Sequence, residues 1–151
     1  MDYEQAAALN AAIRRFAIAH RSVAASMLAE IGLSIGQEVL LFELAENGPR
    51  TQAQLAAAAR CEPPTITLAV RKLEAAGLVS RTPSPHDARA ILVSVTTHAE
   101  ELLPTLRAAW QELAERTVAQ ASQTPIPQII DTLNALAQGL TSDRGLPPTP
   151  A

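Results

Sequence analysis

The feature that most constrains this chain is a change of hydrophobic period at Gly77. Before Gly77 the apolar residues recur every three or four positions, which is typical of helices packed on one side. After it, residues 78–82 and 90–95 alternate as strands do, and a Pro- and Asp-containing loop over 83–89 joins them. The sequence therefore predicts a helical segment that leads directly into a β-hairpin, the order of a winged helix-turn-helix.

Start and stop signals predict four helices before the hairpin. Ser34 with Gln37, and Thr51 with Gln54, have the spacing of capping boxes and predict the starts of two helices. Pro63 and the proline after it suit the first turn of a helix, where a missing N–H costs little, and Glu62 is a weaker N-cap. The four helices are expected over 5–30, over 35–46, in a short stretch after Thr51, and from Pro63 to about Ala76.

Two more helices are predicted after the hairpin. One starts at Thr96 or Thr97, with Thr97 and Glu100 as a capping box, and extends to about Ser122. Pro104 is expected to kink this helix or to mark a late start. The last helix is predicted over 126–140 and is expected to end at Gly139.

These elements predict a mainly α (α+β) fold, a winged helix-turn-helix whose N- and C-terminal helices form a dimerisation layer. The alanine-rich, aromatic-poor composition favours closely packed helices over a sandwich or barrel. The expected domains are a helical dimerisation region over 1–32 and 97–140, a DNA-binding domain over 33–96, and a disordered tail over 141–151.

The charge distribution favours one DNA-facing surface although the chain carries a net charge of −3. Residues 50–96 hold six basic and three acidic residues, a balance of +3, and the remainder of the chain carries −6. A basic middle between acidic flanks lets one face approach phosphate.

Other function classes find little support in the sequence. The single cysteine excludes an internal disulfide framework and fits the cytoplasm, and no apolar run is long enough to span a membrane. The N-terminus lacks the basic region of a signal peptide. His20, His86 and His98 lack metal-ligand spacing, so no metal and no cofactor are expected. No nucleophile, phosphate-loop or paired-carboxylate motif is present, so the chain is not expected to be an enzyme.

The predicted DNA-contacting residues lie on the fourth helix and the hairpin. Threonines can hydrogen-bond base edges and touch thymine methyl groups, and an arginine at the hairpin tip can enter a narrow minor groove. The candidates are Pro63, Pro64, Thr65, Thr67, Leu68, Arg71, Arg81, Asp87 and Arg89.

The same segment resembles the multiple-antibiotic-resistance regulator (MarR) family over about residues 31–103. The resemblance rests on the L-E-A-A-G-L-V sequence from Leu73 to Val79, on the D-A-R wing of Asp87 to Arg89, and on the V-S-V-T strand from Val93 to Thr96. The first motif occurs in many winged helices, whereas the wing followed by that strand is particular to this family.

The resemblance implies a cytoplasmic homodimer that binds double-stranded DNA at a pseudo-palindromic operator, in most members as a repressor. It also implies a small, often aromatic or phenolic, effector that releases the DNA. Leu68 and Ala88 stand where members often carry basic residues, so DNA binding is expected to be weaker than is usual for the family. A winged-helix module for protein interaction, with reduced or lost DNA binding, is the alternative.

Candidate effector-binding residues are Arg15, Phe16, His20 and Trp110, although core or interface packing is the commoner role for such side chains. Cys61 is expected to pack in the core. Because it precedes a helix N-terminus, which can lower a thiol pKa, a thiol-based redox sensor is a further alternative.

Overall fold

The computed structural model describes residues 1–85, 90–121 and 123–142, and it confirms a mainly helical fold with a small antiparallel sheet. The helices and strands follow the predicted order, with one strand added before the third helix. Their bounds are α1 Tyr3–Glu30, α2 Gln37–Asn47, β1 Arg50–Thr51, α3 Gln52–Ala59, α4 Pro63–Ala75, β2 Val79–Pro83, β3 Ile91–Val95, α5 Thr97–Val118 and α6 Ile126–Ser142.

Local capping explains where α1 begins. The Asp2 side chain accepts a hydrogen bond from the Gln5 N–H at 2.8 Å, and the Gln5 side chain accepts one from the Asp2 N–H. This capping box starts the helix two residues before the predicted position. Gly32 follows the helix with a φ of +76°, a backbone conformation that favours glycine and ends the helix as predicted.

The predicted start of α2 at residue 35 is wrong. The helix begins at Gln37, and its N-cap is Gly36 in the left-handed conformation. The Ser34 N–H donates to Gln37 Oε1 at 2.8 Å, so this pair closes a turn before the helix instead of capping it. Glycine adopts the required φ of +93° without a Cβ penalty, which allows the turn to form.

The Thr51–Gln54 capping box is confirmed at the start of α3. Helix α4 begins at Pro63 after Glu62, as predicted, and no side-chain hydrogen bond caps it. Gly77, with a φ of +71°, ends α4 and leads into the hairpin.

The sheet has the strand order β1-β3-β2, and both pairings are antiparallel. The hairpin is confirmed, with Val79 opposite Val95 and Pro83 opposite Ile91. The sequence analysis missed β1, whose two residues pair with Val93 and Leu92. A two-residue strand has no periodicity, and only its distant partner defines it.

Several predictions for the last two helices are wrong. The side chain of Thr96, not Thr97, caps α5, because Thr96 Oγ1 accepts from the Ala99 N–H at 3.2 Å. Pro104 lies inside α5, so it does not mark a late start, and α5 ends at Val118. Gly139 does not end α6, which continues to Ser142. Residues 141 and 142 are thus helical, and the rest of the predicted tail, 143–151, lies outside the described residues.

The main core joins α1, α2, α3, α4, the sheet and the first half of α5 within a compact unit, residues 1–113. The second unit begins at Ala114 and contains α6. The core of the first unit is made chiefly of leucine, and its largest fully buried side chains are Leu28, Leu40, Leu41, Leu44, Leu55, Leu73, Leu106, Val70 and Val93.

Candidate nucleic-acid interface

The buried side of helix α4 packs in the core and fixes the position of the helix. Ile66, Val70 and Leu73 are at most 2% exposed, and they share one core with Leu55 and Ala56 of α3. This packing fixes α4 across α3 and leaves the opposite side of α4 open. The arrangement is that of a helix-turn-helix, in which the second helix presents its outer side to the major groove.

The outer side of α4, called here the outer face, comprises Pro64, Thr65, Leu68 and Arg71, all of which are exposed. At 100° per residue, Leu68 lies about 160° around the helix from Val70. It is 56% exposed and is therefore the centre of the face opposite the core. Arg71 has no hydrogen-bond or ion-pair partner within the described ranges, so its guanidinium is available to a phosphate or a base.

Thr67 was predicted to contact DNA, but its hydroxyl is used within the protein. Thr67 Oγ1 lies 3.0 Å from Gln52 Oε1 and 3.0 Å from the Pro63 carbonyl oxygen. A hydroxyl has one hydrogen to donate, so these two acceptors compete for it. Thr67 is half-buried at the side of α4 that faces α3, whereas Pro63, Pro64 and Thr65 are exposed as predicted.

Arg81, another predicted DNA contact, is paired with α4. Its guanidinium lies 2.6 Å from Glu74 Oε2 and, through Nε, 3.0 Å from Glu74 Oε1. The hydrogen bond to Glu74 and the Glu74 charge raise the pKa of Arg81 above its usual value. The pair links β2 to α4 and places a carboxylate beside the charge that Arg81 would offer to DNA.

The wing residues Asp87 and Arg89 lie outside the described residues. The described ends of the loop are joined by the Ser84 N–H, which donates to the Ala90 carbonyl oxygen at 2.8 Å. This bond extends the β2–β3 hairpin beyond its last strand pair.

The four candidate effector residues are not gathered into one site. The rings of Phe16 and His20 lie 5.7 Å apart on α1, where Phe16 is 45% exposed and Arg15 is also exposed. Trp110 instead packs against the core, with its ring 6.2 Å from that of Phe42.

A cavity of about 620 Å³ lies further along α1, between its second half and the segment that leads to α2. Sequence reasoning did not assign this cavity, although the spacing of three and four among its α1 residues places them on one side of the helix. Its lining is apolar apart from one guanidinium and two hydroxyl groups: Ile18, Arg21, Ser22, Ala25, Ala29, Leu33, Ser34 and Ile35.

Glu38 is a buried carboxyl group beside this segment. It is 5% exposed, and its Oε2 accepts a hydrogen bond from the Gly36 N–H at 2.6 Å. Burial raises the pKa of Glu38, against the opposing effects of backbone hydrogen bonds and of the Arg21 charge.

The expectation that Cys61 packs in the core is wrong, because Cys61 is exposed. Arg60 adopts a left-handed conformation with a φ of 51°, and the Cys61 N–H donates to the Ala56 carbonyl oxygen. This turn closes α3 and leaves the thiol at the surface, where Cys61 Sγ lies 3.3 Å from the Ala59 carbonyl oxygen.

Within residues 1–85, 90–121 and 123–142, no group of three His, Cys, Asp or Glu side chains is arranged to hold a metal ion. None of the helices in those ranges is both long and apolar enough to cross a membrane.

A helix packed by its inner side across α3, with an antiparallel hairpin beside it, defines the winged helix-turn-helix class. The MarR family model matches residues 33–91, which contain α2, α3, α4 and β2. Residues 33–91 are therefore similar to the MarR family, as the motifs indicated.

Two curated proteins are similar to this chain in sequence. A transcriptional regulator of Mycobacterium tuberculosis is 41% identical over 85 residues, which are 56% of this chain and 59% of that protein. The transcriptional repressor NicR of Pseudomonas putida is 33% identical over 79 residues, or 52% of this chain and 50% of the repressor. The match thus spans between half and three fifths of the length of each relative. These names agree with the prediction that the chain is not an enzyme.

The solved structure is that of a MarR C80S mutant from E. coli in complex with operator DNA. It superposes with a TM-score of 0.75 at 18% identity and covers 93% of this chain and 99% of that one. At that identity the likeness establishes the fold.

Proposed function

We propose that this chain is a sequence-specific, DNA-binding regulator of transcription that acts in the cytoplasm. The observation that carries the proposal is the outer face of α4, where Leu68 and Arg71 lie opposite a side that is buried against α3, and where Arg71 has no partner among the described residues. A rigidly backed helix with an exposed cation matches what a major-groove contact requires.

The test is a gel-shift or anisotropy titration with the DNA that flanks the chain's own gene. Binding should be sequence-preferring and should weaken steeply between about 50 and 150 mM salt, because each phosphate contact releases counterions. Binding without sequence preference, or none in that salt range, contradicts the proposal. It would favour the alternative of a protein-interaction module, which the pairing of Arg81 with Glu74 supports.

We also propose that the wing contacts DNA through Arg89. Replacing Arg89 by Ala should cost about 1–3 kcal/mol of DNA-binding free energy if its side chain enters the minor groove. Unchanged affinity would limit the interface to α4.

The active form is proposed to be a homodimer on a pseudo-palindromic operator. Leu9, Ile13 and Phe16 recur at spacings of three and four on α1, and each is at least 44% exposed. On α6, Ile126, Ile130 and Leu133 form a second exposed apolar row. A second copy is the partner we propose for these rows, and half-sites should then lie about 10 bp apart. A single 16.0 kDa species by light scattering at micromolar concentration would contradict the dimer.

Repression relieved by a small effector is the regulatory role that we propose. The repressor name of the Pseudomonas putida relative supports repression. The α1 cavity supports an effector, because its volume of about 620 Å³ falls in the range of small-molecule sites. Apolar walls with one guanidinium suit a small aromatic acid or phenol, whose anionic group Arg21 could pair.

This role is tested by a thermal-shift screen of aromatic acids and phenols, followed by DNA release. Replacing Arg21 by Gln should weaken binding of a carboxylate effector by about tenfold or more, since it removes a charged hydrogen bond. Replacing Arg14 by Gln, an exposed arginine on the same helix outside the cavity lining, is the matched control. Equal losses from both substitutions would argue against the cavity as the effector site.

A further inference from the structure

Leu68 is an exposed residue of the outer face whose side chain has no polar group. It is 56% exposed, and it lies between Thr65 and Arg71 at intervals of three residues. It directly follows Thr67, whose hydroxyl is hydrogen-bonded to Gln52. An exposed leucine at an arbitrary surface position needs no explanation. At the centre of a face that meets base edges, however, it determines what kind of base that face can accept.

The residues around Leu68 differ in the contacts that they can make with DNA. Thr67 donates its hydroxyl hydrogen to Gln52 or to the Pro63 carbonyl, so it has no hydrogen to donate to a base. Arg71, about one turn further, carries a charge that has no partner within the described part of the chain. The side chain of Leu68 at the centre of the face is purely aliphatic, so a hydrogen-bonding base edge placed against it would lose water without gaining a partner from that side chain.

We propose that Leu68 is a specificity-determining residue that selects a thymine in each operator half-site by contact with its 5-methyl group. In the major groove, that methyl is the apolar group by which a T·A pair differs from the others, and an aliphatic side chain is a suitable partner for it. The inference rests on the proposed function, because it assumes that α4 occupies the major groove.

The experiment starts from an operator selected by the full-length protein from a pool of randomised duplexes. Each thymine of the selected half-site is then replaced in turn by deoxyuridine, which removes the methyl and keeps every hydrogen-bonding group. The wild-type protein should lose about fourfold in affinity at one position per half-site, because burial of one methyl-sized group contributes about that factor. The Leu68→Ala variant should bind the thymine and deoxyuridine operators with equal affinity.

The matched control is Val39→Ala, which shortens an exposed apolar side chain on α2 and should leave the deoxyuridine effect intact. Circular dichroism of Leu68→Ala should match the wild type, since the side chain is largely outside the core. Sequence-specific binding that is indifferent to every deoxyuridine overturns the inference alone. An equal loss in wild type and Leu68→Ala also overturns it, because another residue would then contact the methyl. Failure to select any operator overturns the proposed function itself.

Discussion

Thr67 Oγ1 of α4 lies 3.0 Å from Gln52 Oε1 of α3, so one hydroxyl ties the two helices of the helix-turn-helix together. The same hydroxyl lies 3.0 Å from the Pro63 carbonyl in the first turn of α4. Through these contacts Thr67 helps to hold α4 against α3. Leu68 and Arg71, by contrast, are exposed on the outer face.

Replacing Thr67 by Val should therefore lower the free energy of unfolding by about 0.5–1.5 kcal/mol, the usual contribution of one internal hydrogen bond. Valine keeps the shape of the side chain and removes only the hydroxyl. The measurement is urea unfolding followed by circular dichroism. The matched change at the exposed Thr65, to Val, should alter stability by less. A Thr67→Val protein as stable as the wild type, with altered base preference instead, would place the hydroxyl on DNA.

Replacing Arg71 by Ala should weaken DNA binding by roughly tenfold and reduce the salt dependence by about one unit of slope for each copy in the complex. The reason is that Arg71 is the outer-face cation that pairs with no other described group. Fluorescence anisotropy at several salt concentrations measures both effects. Arg107→Ala, an exposed arginine on α5, provides the comparison. The same slope for Arg71→Ala and wild type would show that Arg71 does not meet phosphate.

Replacing Glu74 by Gln should strengthen DNA binding several-fold. The substitution removes the carboxylate that holds Arg81 at 2.6 Å and returns a cation to the surface beside α4. The salt slope should steepen by about one unit per copy. Glu46→Gln makes the same change of net charge at an exposed site on α2 and controls for long-range attraction. If both variants gain equally, the Glu74–Arg81 pair has no specific influence on binding.

Replacing Glu38 by Gln should stabilise the protein more at neutral pH than at pH 4. Burial raises the pKa of Glu38 in the folded state above its value in the unfolded chain. Stability from this group is therefore fully present below the unfolded pKa and is lost as the pH rises through the folded pKa. Glutamine remains neutral throughout, so the stability difference between variant and wild type should grow with pH and then level off.

The check is a set of urea unfolding curves from pH 4 to 8, with Glu46→Gln as the control, because Glu46 is exposed on the same helix. A flat difference across this range for Glu38→Gln would mean that the carboxyl group titrates alike in the folded and unfolded chains.

Two glycine-to-alanine changes should have opposite effects. Gly77→Ala should destabilise the protein by about 1–2 kcal/mol, because its φ of +71° places an alanine Cβ against the following carbonyl oxygen. Gly139 lies inside α6 with open space where a Cβ would stand, so Gly139→Ala should favour its helix by about 0.5–1 kcal/mol. Urea unfolding and far-UV circular dichroism measure the two effects. A destabilising Gly139→Ala would indicate a close neighbour at that position.

The interactions that the sequence predicted correctly are local ones. Thr51 and Gln54 form a capping box from residues three apart, and the turn at Gly77 depends on a residue that tolerates positive φ. The same local pattern failed at Ser34 and Gln37, because Gly36 turned the chain left-handed and delayed the helix. The local pattern could not predict that turn.

By itself, then, the sequence determined the order of helices and hairpin, the buried side of α4 and the resemblance to the MarR family, since periodicity and motifs are carried by neighbours along the chain. Only the tertiary structure decided which predicted DNA-contacting residues are free. Thr67 and Arg81 both have partners, Gln52 lying 15 residues away and Glu74 lying seven. Hydrogen-bond partners of this kind depend on how helices and strands pack, and packing distances are absent from a linear pattern. Leu68 and Arg71 remain at the surface because the opposite side of α4 is packed in the core.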